Sequence, residues 1–153
     1  MPMTSTLKKY LADNGVAYDI LTHRHTDNTM NTANAAHVPA RQMAKPVVLE
    51  DEDGYIMAVV PANQHVKINK LNQCLGRKLG LATEPELTDL FSDCDVGAIP
   101  PVGYAYDIDT VVDDKLDLCH EVYLESGDHE DLIHMTGTSY QKLMKHALHA
   151  RIS

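Results

Sequence analysis

Residues 45–60 constrain the fold of this chain more than any other stretch. Two apolar runs, Lys45–Glu50 and Tyr55–Val60, flank the acidic tetrapeptide Asp51-Glu52-Asp53-Gly54. Such runs, bounded by turn residues, read as strands, and so short a link predicts a hairpin. Strands are also expected where Val16, Tyr18 and Ile20 alternate, and near 110–112, 121–125 and 131–135. Helical spacing interrupts this pattern. Leu7 and Leu11 mark a helix that Gly15 can close, and Thr29–Ala36 is an alanine-rich helix stopped before Pro39. Ile68, Leu71 and Leu75 mark a third. Thr83 and Glu86 form a capping box with Pro85 in the first turn, so Leu87 and Leu90 face inward. Thr138 and Gln141 read as a second box, opening a last helix with Tyr140, Leu143, Met144, Ala147 and Leu148 inward. Hairpins without regular βαβ alternation predict an α+β fold: one domain over 1–153, a mixed and mostly antiparallel sheet with flanking helices.

The composition fits that expectation and narrows the function classes. At 153 residues, 44% hydrophobic and 23% charged, the chain has an ordinary globular balance. No apolar run approaches the roughly 20 residues of a membrane helix. The N-terminal residues show no apolar signal region, so a cytoplasmic location without membrane association is expected. Cys74, Cys94 and Cys119 are scattered, with no Cys-x-x-Cys pair, so reduced thiols are expected. The net charge of −9 argues against nonspecific coating of nucleic acid. The charge is uneven, however. Residues 104–131 hold ten acids and one base, Lys115, while 64–80 hold Lys67, Lys70, Arg77 and Lys78 and no acid. That basic stretch is either a face for phosphates or a solvated helix surface.

Two features carry possible chemistry. Gly97-Ala98-Ile99-Pro100-Pro101-Val102-Gly103 is a loop both permissive and stiff, because glycine lets backbone approach a ligand while proline fixes φ. Free N–H groups at Gly97, Ala98 and Ile99 would suit a developing oxyanion. Lys45 stands at the head of a strand, and Pro46 favours an extended conformation for it. The plainer alternatives are a tight connection and a surface lysine. The nine histidines include the His23-Arg24-His25 pair, yet no His-Glu-x-x-His spacing occurs, and no bound metal is expected. His129 follows the turn Ser126-Gly127-Asp128, where it faces either a pocket or solvent. Neither a Gly-x-Ser-x-Gly elbow nor a phosphate-binding Gly-rich motif is present.

Taken in order, these pieces resemble the YbaK-type aminoacyl-tRNA deacylases, relatives of the editing domain of bacterial prolyl-tRNA synthetase. The resemblance runs from about Thr29 to Leu143. It takes in Thr32-Ala33-Asn34-Ala35-Ala36, Gln42-Met43-Ala44-Lys45, Tyr55–Ala62, the 97–103 loop and Ser126-Gly127. It implies hydrolysis of the ester between a wrong amino acid and the 3′-terminal adenosine of tRNA, with help from the tRNA's own ribose hydroxyl and no cofactor. It implies Lys45 and Gly97 as the catalytic positions. Thr29, Ala98, Ile99, Pro100, Pro101, Gly103, Ser126 and His129 would surround the substrate. A mischarged tRNA is the implied partner, and an aminoacyl-tRNA synthetase a second one. Pro46 stands where family members often have threonine, which removes a backbone donor beside Lys45. The competing reading is a catalytically silent module of the same fold that binds tRNA or protein, and the acidic 104–131 stretch favours the protein.

Overall fold

A computed structural model describes residues 3–26, 28–95 and 97–153. In chain order the elements are α1 (Ser5–Asp13), β1 (Asp19–Thr22), α2 (Thr29–Ala35), β2 (Ala44–Asp51), β3 (Gly54–Pro61), α3 (Ile68–Leu75) and β4 (Gly80–Leu81). They continue with α4 (Glu84–Leu90), β5 (Asp109–Asp113), α5 (Asp114–Asp117), β6 (Glu121–Glu125), β7 (Asp131–Thr136), α6 (Gly137–Leu143) and β8 (Leu148–Ala150). The expected hairpin forms the centre, with β2 and β3 antiparallel from Ala44↔Pro61 to Asp51↔Gly54. It belongs to a five-stranded sheet of order β4-β2-β3-β5-β8, in which β3–β5 and β5–β8 are parallel. A three-stranded antiparallel sheet, β1-β7-β6, lies beside it. A parallel bridge between Met43 and Tyr123 joins the two. The fold is therefore α+β with mixed sheets.

Burial explains why β3 is central. Alternate residues of a strand point to opposite faces. Met57 and Val59 join a core with Leu7, Leu11, Phe91 and Leu124, while Ile56, Ala58 and Val60 pack with Leu71, Leu79 and Ile152. Both faces are covered, so the strand reads as a continuous apolar run. Each large side chain so buried contributes roughly 1.5–3 kcal/mol. The hairpin turn is tied down from outside: Arg77 donates from Nε to Asp51 Oδ2 at 2.6 Å and pairs again through its second nitrogen. That contact holds the Asp51 carboxyl down to about 2.

The Thr83–Glu86 capping box is made in both directions, and α3 ends at Gly76 with φ 65°, a left-handed position suited to glycine. The last helix departs from expectation. Its N-cap is Thr136, whose hydroxyl accepts from Ser139 N, and not Thr138. Gly137 takes the first helical position because a Cβ there would lie 2.1 Å from the Cys119 carbonyl oxygen. Gln141 instead donates to Asp117 O at 3.3 Å. The helix also stops at Leu143, and Leu148, expected inward on it, lies on β8 with 46% of its surface exposed. His149 explains the change of course: Asp117 holds its ring at 2.8 Å, Met144 O at 3.0 Å, and the chain runs on as a strand beside β5. Among the described residues no helix is long and apolar enough to cross a membrane.

Candidate active-site cleft

The head of β2, the first turn of α2, helix α4 and the loop after it enclose a cleft of about 820 Å³. Lys45 enters it from β2, where it sits opposite Val60, and Pro46 beside it pairs with Val59. Lys45 is half-buried, and its Nζ donates to Gln64 O at 2.5 Å. Burial lowers its pKa from the ordinary lysine range. None of the ion pairs among the described residues involves it. An ammonium carries three donors, so the Gln64 contact leaves capacity for an anionic or carbonyl ligand.

The opposite wall is the loop. Gly97 has φ 78°, in the left-handed region that favours glycine, and it lines the cleft with Ile99. Ile99 N–H has no acceptor among the described residues, whereas Ala98 N–H donates to Asp95 O at 3.1 Å and is used within the turn. Ala98 is therefore not the free donor expected from sequence. Ala98, Pro100, Pro101 and Gly103 are buried beneath the rim. Gly103 is packed so closely on β5 that a Cβ would lie 2.2 Å from Thr110 Oγ1. Thr29 opens α2 and faces the cleft beside Asn28, the helix N-cap.

Ser126 and His129 sit one layer behind this wall, in the turn between β6 and β7. Ser126 is buried, its hydroxyl donating to Asp131 O at 2.7 Å and its carbonyl accepting from Thr4 N at 3.1 Å. His129, at φ 59°, is buried with its ring 5.9 Å from that of His25. The turn supports the cleft directly, since Gly127 O accepts from Asp95 N at 2.7 Å. Glu125, at the entrance to the turn, is wholly buried. Burial pushes its carboxyl up to about 7, against the opposing effect of the Thr32 hydroxyl.

Several lining residues escaped the sequence reading. Glu84, Asp95 and His65 also line the cleft, with Met30, Leu87 and Phe91 as apolar residues. The capping box located α4 but not the side that faces the cleft, and nothing local marks Asp95. Cys94 also lines the space, but burial pushes its thiol up to about 12, and it donates to Asp93 Oδ1 at 3.4 Å. At neutral pH it is a protonated thiol, a poor nucleophile. Among the described residues no three His, Cys, Asp or Glu side chains are placed to hold a metal.

The chain and its fold have known counterparts. The family model for the aminoacyl-tRNA editing domain matches residues 23–143. A proline–tRNA ligase of Thermosipho africanus (strain TCF52B) is 33% identical over 72 residues, which are 46% of this chain and 13% of that protein. The chain thus spans a small part of that relative's length. The solved structure of hypothetical protein APE2540 superposes with a TM-score of 0.85 at 22% identity, covering 97% of this chain and 99% of the other. A structure described as a candidate trans-editing enzyme for prolyl tRNA synthetase gives 0.83 at 22% identity, covering 97% and 94%. At these identities the likeness establishes a shared fold.

Proposed function

Because the chain belongs to the aminoacyl-tRNA editing domain family, we propose that it is an aminoacyl-tRNA deacylase that hydrolyses the ester of a mischarged tRNA. The observation that carries this reading is the convergence of Lys45 and Gly97, about fifty residues apart in sequence, on one cleft. The 3′-terminal nucleotide brings a phosphate, a ribose and the aminoacyl ester. Lys45 holds the phosphate as a half-buried cation stronger than it would be in water. The Gly97–Ile99 backbone lies along the ester, with the Ile99 N–H directed at the oxyanion that forms when water adds to the carbonyl. The intermediate collapses with loss of the ribose oxygen, which takes up a proton, and the amino acid leaves as its carboxylate.

An activated ester needs orientation and fixed dipoles more than a protein nucleophile. The protonated Cys94 fits that demand, and the adjacent ribose hydroxyl orients the water. The carboxylates of Asp95 and Glu84 suit the substrate's α-ammonium. Met30, Leu87, Phe91 and Ile99 offer apolar surface to its side chain, a recognition that discriminates weakly per methylene. The partners are the 3′ end of a mischarged tRNA and, in its working context, a synthetase.

The test is deacylation of a panel of tRNAs, each charged with a non-cognate amino acid. Release of amino acid well above the spontaneous rate is expected for at least one member. No turnover anywhere on the panel, with tRNA still bound, would establish the silent binding module instead.

A further inference from the structure

Helix α3 begins against the usual electrostatic rule. A helix N-terminus carries partial positive charge and is stabilised by acids. Here the first turn has no acid, and the N-cap is Lys67, which makes no side-chain capping bond. Lys70 follows within that turn. Its pKa is lowered, first by the charge of Lys67, then by desolvation and by the charges of Arg151 and Lys115. Backbone contacts fix the arrangement, with Lys67 N donating to Ile152 O at 2.7 Å. Lys115 Nζ lies 3.0 Å from Ser153 Oγ, 3.4 Å from Ser153 O and 3.5 Å from Gln64 Oε1. The adjacent carboxylate of Asp113 is buried and already accepts from Lys115 N at 2.8 Å and Ile152 N at 3.1 Å.

This cationic cluster is continuous with the cleft. Gln64 touches Lys115 through its side chain and Lys45 through its carbonyl. Asn63 lines both the cleft and a second hollow of about 350 Å³, which Arg41, Lys115 and His120 share. In a chain of net charge −9, cations gathered at a helix N-terminus repel one another and the helix dipole. An anionic ligand relieves that repulsion.

We propose that Lys67, Lys70, Lys115 and Arg151 form a phosphate-binding surface for the acceptor stem of the tRNA whose 3′ end occupies the cleft. The inference rests on the deacylase reading for what fills the cleft. The surface gives affinity without reading sequence, and the acidic remainder of the chain keeps RNA off other faces.

The experiment measures binding of fluorescein-labelled, uncharged tRNA to wild type and to Lys67→Glu/Lys70→Glu over a salt series, with melting temperature and panel deacylation alongside. The double variant is expected to bind at least tenfold more weakly at low salt. Its salt dependence should be shallower by about two counterions. It should melt no lower than wild type, because acids replace bases at the helix N-terminus. Wild-type affinity and slope in the variant, with panel deacylation intact, would overturn the surface and leave the deacylase standing. Patch-dependent binding without any turnover would keep the surface and sink the deacylase. Loss of binding to a synthetase but not to tRNA would reassign the patch to protein and overturn the proposal.

Discussion

Lys45 and Glu125 occupy equivalent places in the fold. Each lies two residues beyond the parallel bridge that joins the two sheets, Lys45 past Met43 on β2 and Glu125 past Tyr123 on β6. Their surroundings differ. Lys45 is half-buried, bonded to a carbonyl and open to the cleft. Glu125 is wholly buried, neither of its oxygens meets the distance and angle of a hydrogen bond among the described residues, and its carboxyl is pushed up to about 7. His129 Nδ1 lies 3.9 Å from Glu125 Oε2. One position keeps an amine open to the cleft. The other hides an ionisable group inside the support of the wall. Polar residues in a strand or turn thus acquire chemistry through access.

The comparison breaks most severely at Gly127. With φ 110° and a Cβ that would lie 2.3 Å from Thr4 Cγ2, Gly127→Ala should destabilise by about 3 kcal/mol. That corresponds to roughly 10 °C in melting temperature. Deacylation per folded molecule should survive, and an unchanged melting temperature would show that the turn does not support the wall.

Glu125 gives a pH signature. Its folded pKa, about 7, lies above the ordinary 4.5. The favourable protonated form is therefore fully present below 4.5 and lost as pH rises through 7. Glu125→Gln should stabilise the protein at pH 8 by roughly 2–3 kcal/mol, and much less at pH 5. Equal effects in denaturant melts at both pH values would refute a raised pKa.

At the cleft the expected balance reverses. Gly97→Ala places a Cβ at a left-handed position in a loop that lines the cleft. It should lower deacylation about tenfold, or 1.4 kcal/mol of barrier, while the melting temperature falls by only a few degrees. Loss of stability with turnover per folded molecule intact would make this loop structural. The smallest expected effect is that of a chelator, which should leave deacylation unchanged. Activity lost with chelator and restored by zinc would bring His23 and His25 to the centre of the chemistry.

The hairpin was legible because each of its strands is long enough to show its apolar character and the link between them is acidic and glycine-ended. Strands β4 and β8 were not, since two or three residues carry no periodicity. The shift from Thr138 to Thr136 was hidden because the choice of cap depends on how closely Gly137 packs on Cys119, a contact distant in sequence. For the cleft, the residues flagged from sequence divide by depth. Lys45, Gly97, Ile99 and Thr29 line it, while Pro100, Pro101, Gly103, Ser126 and His129 lie beneath or behind. Motif order marks the neighbourhood. Which member of a motif faces outward is decided by packing partners from other elements, as Asp95 and the 126–131 turn illustrate.

The central claim is that the cleft, and within it the Lys45 ammonium, carries the reaction. The most direct measurement is the deacylation rate per folded molecule of Lys45→Ala against wild type on the best substrate of the panel, with melting curves for both. The side chain is half-buried and makes one hydrogen bond, so the fold should persist while kcat/KM falls at least tenfold, about 1.4 kcal/mol. A well-folded Lys45→Ala protein that deacylates at the wild-type rate would contradict the account.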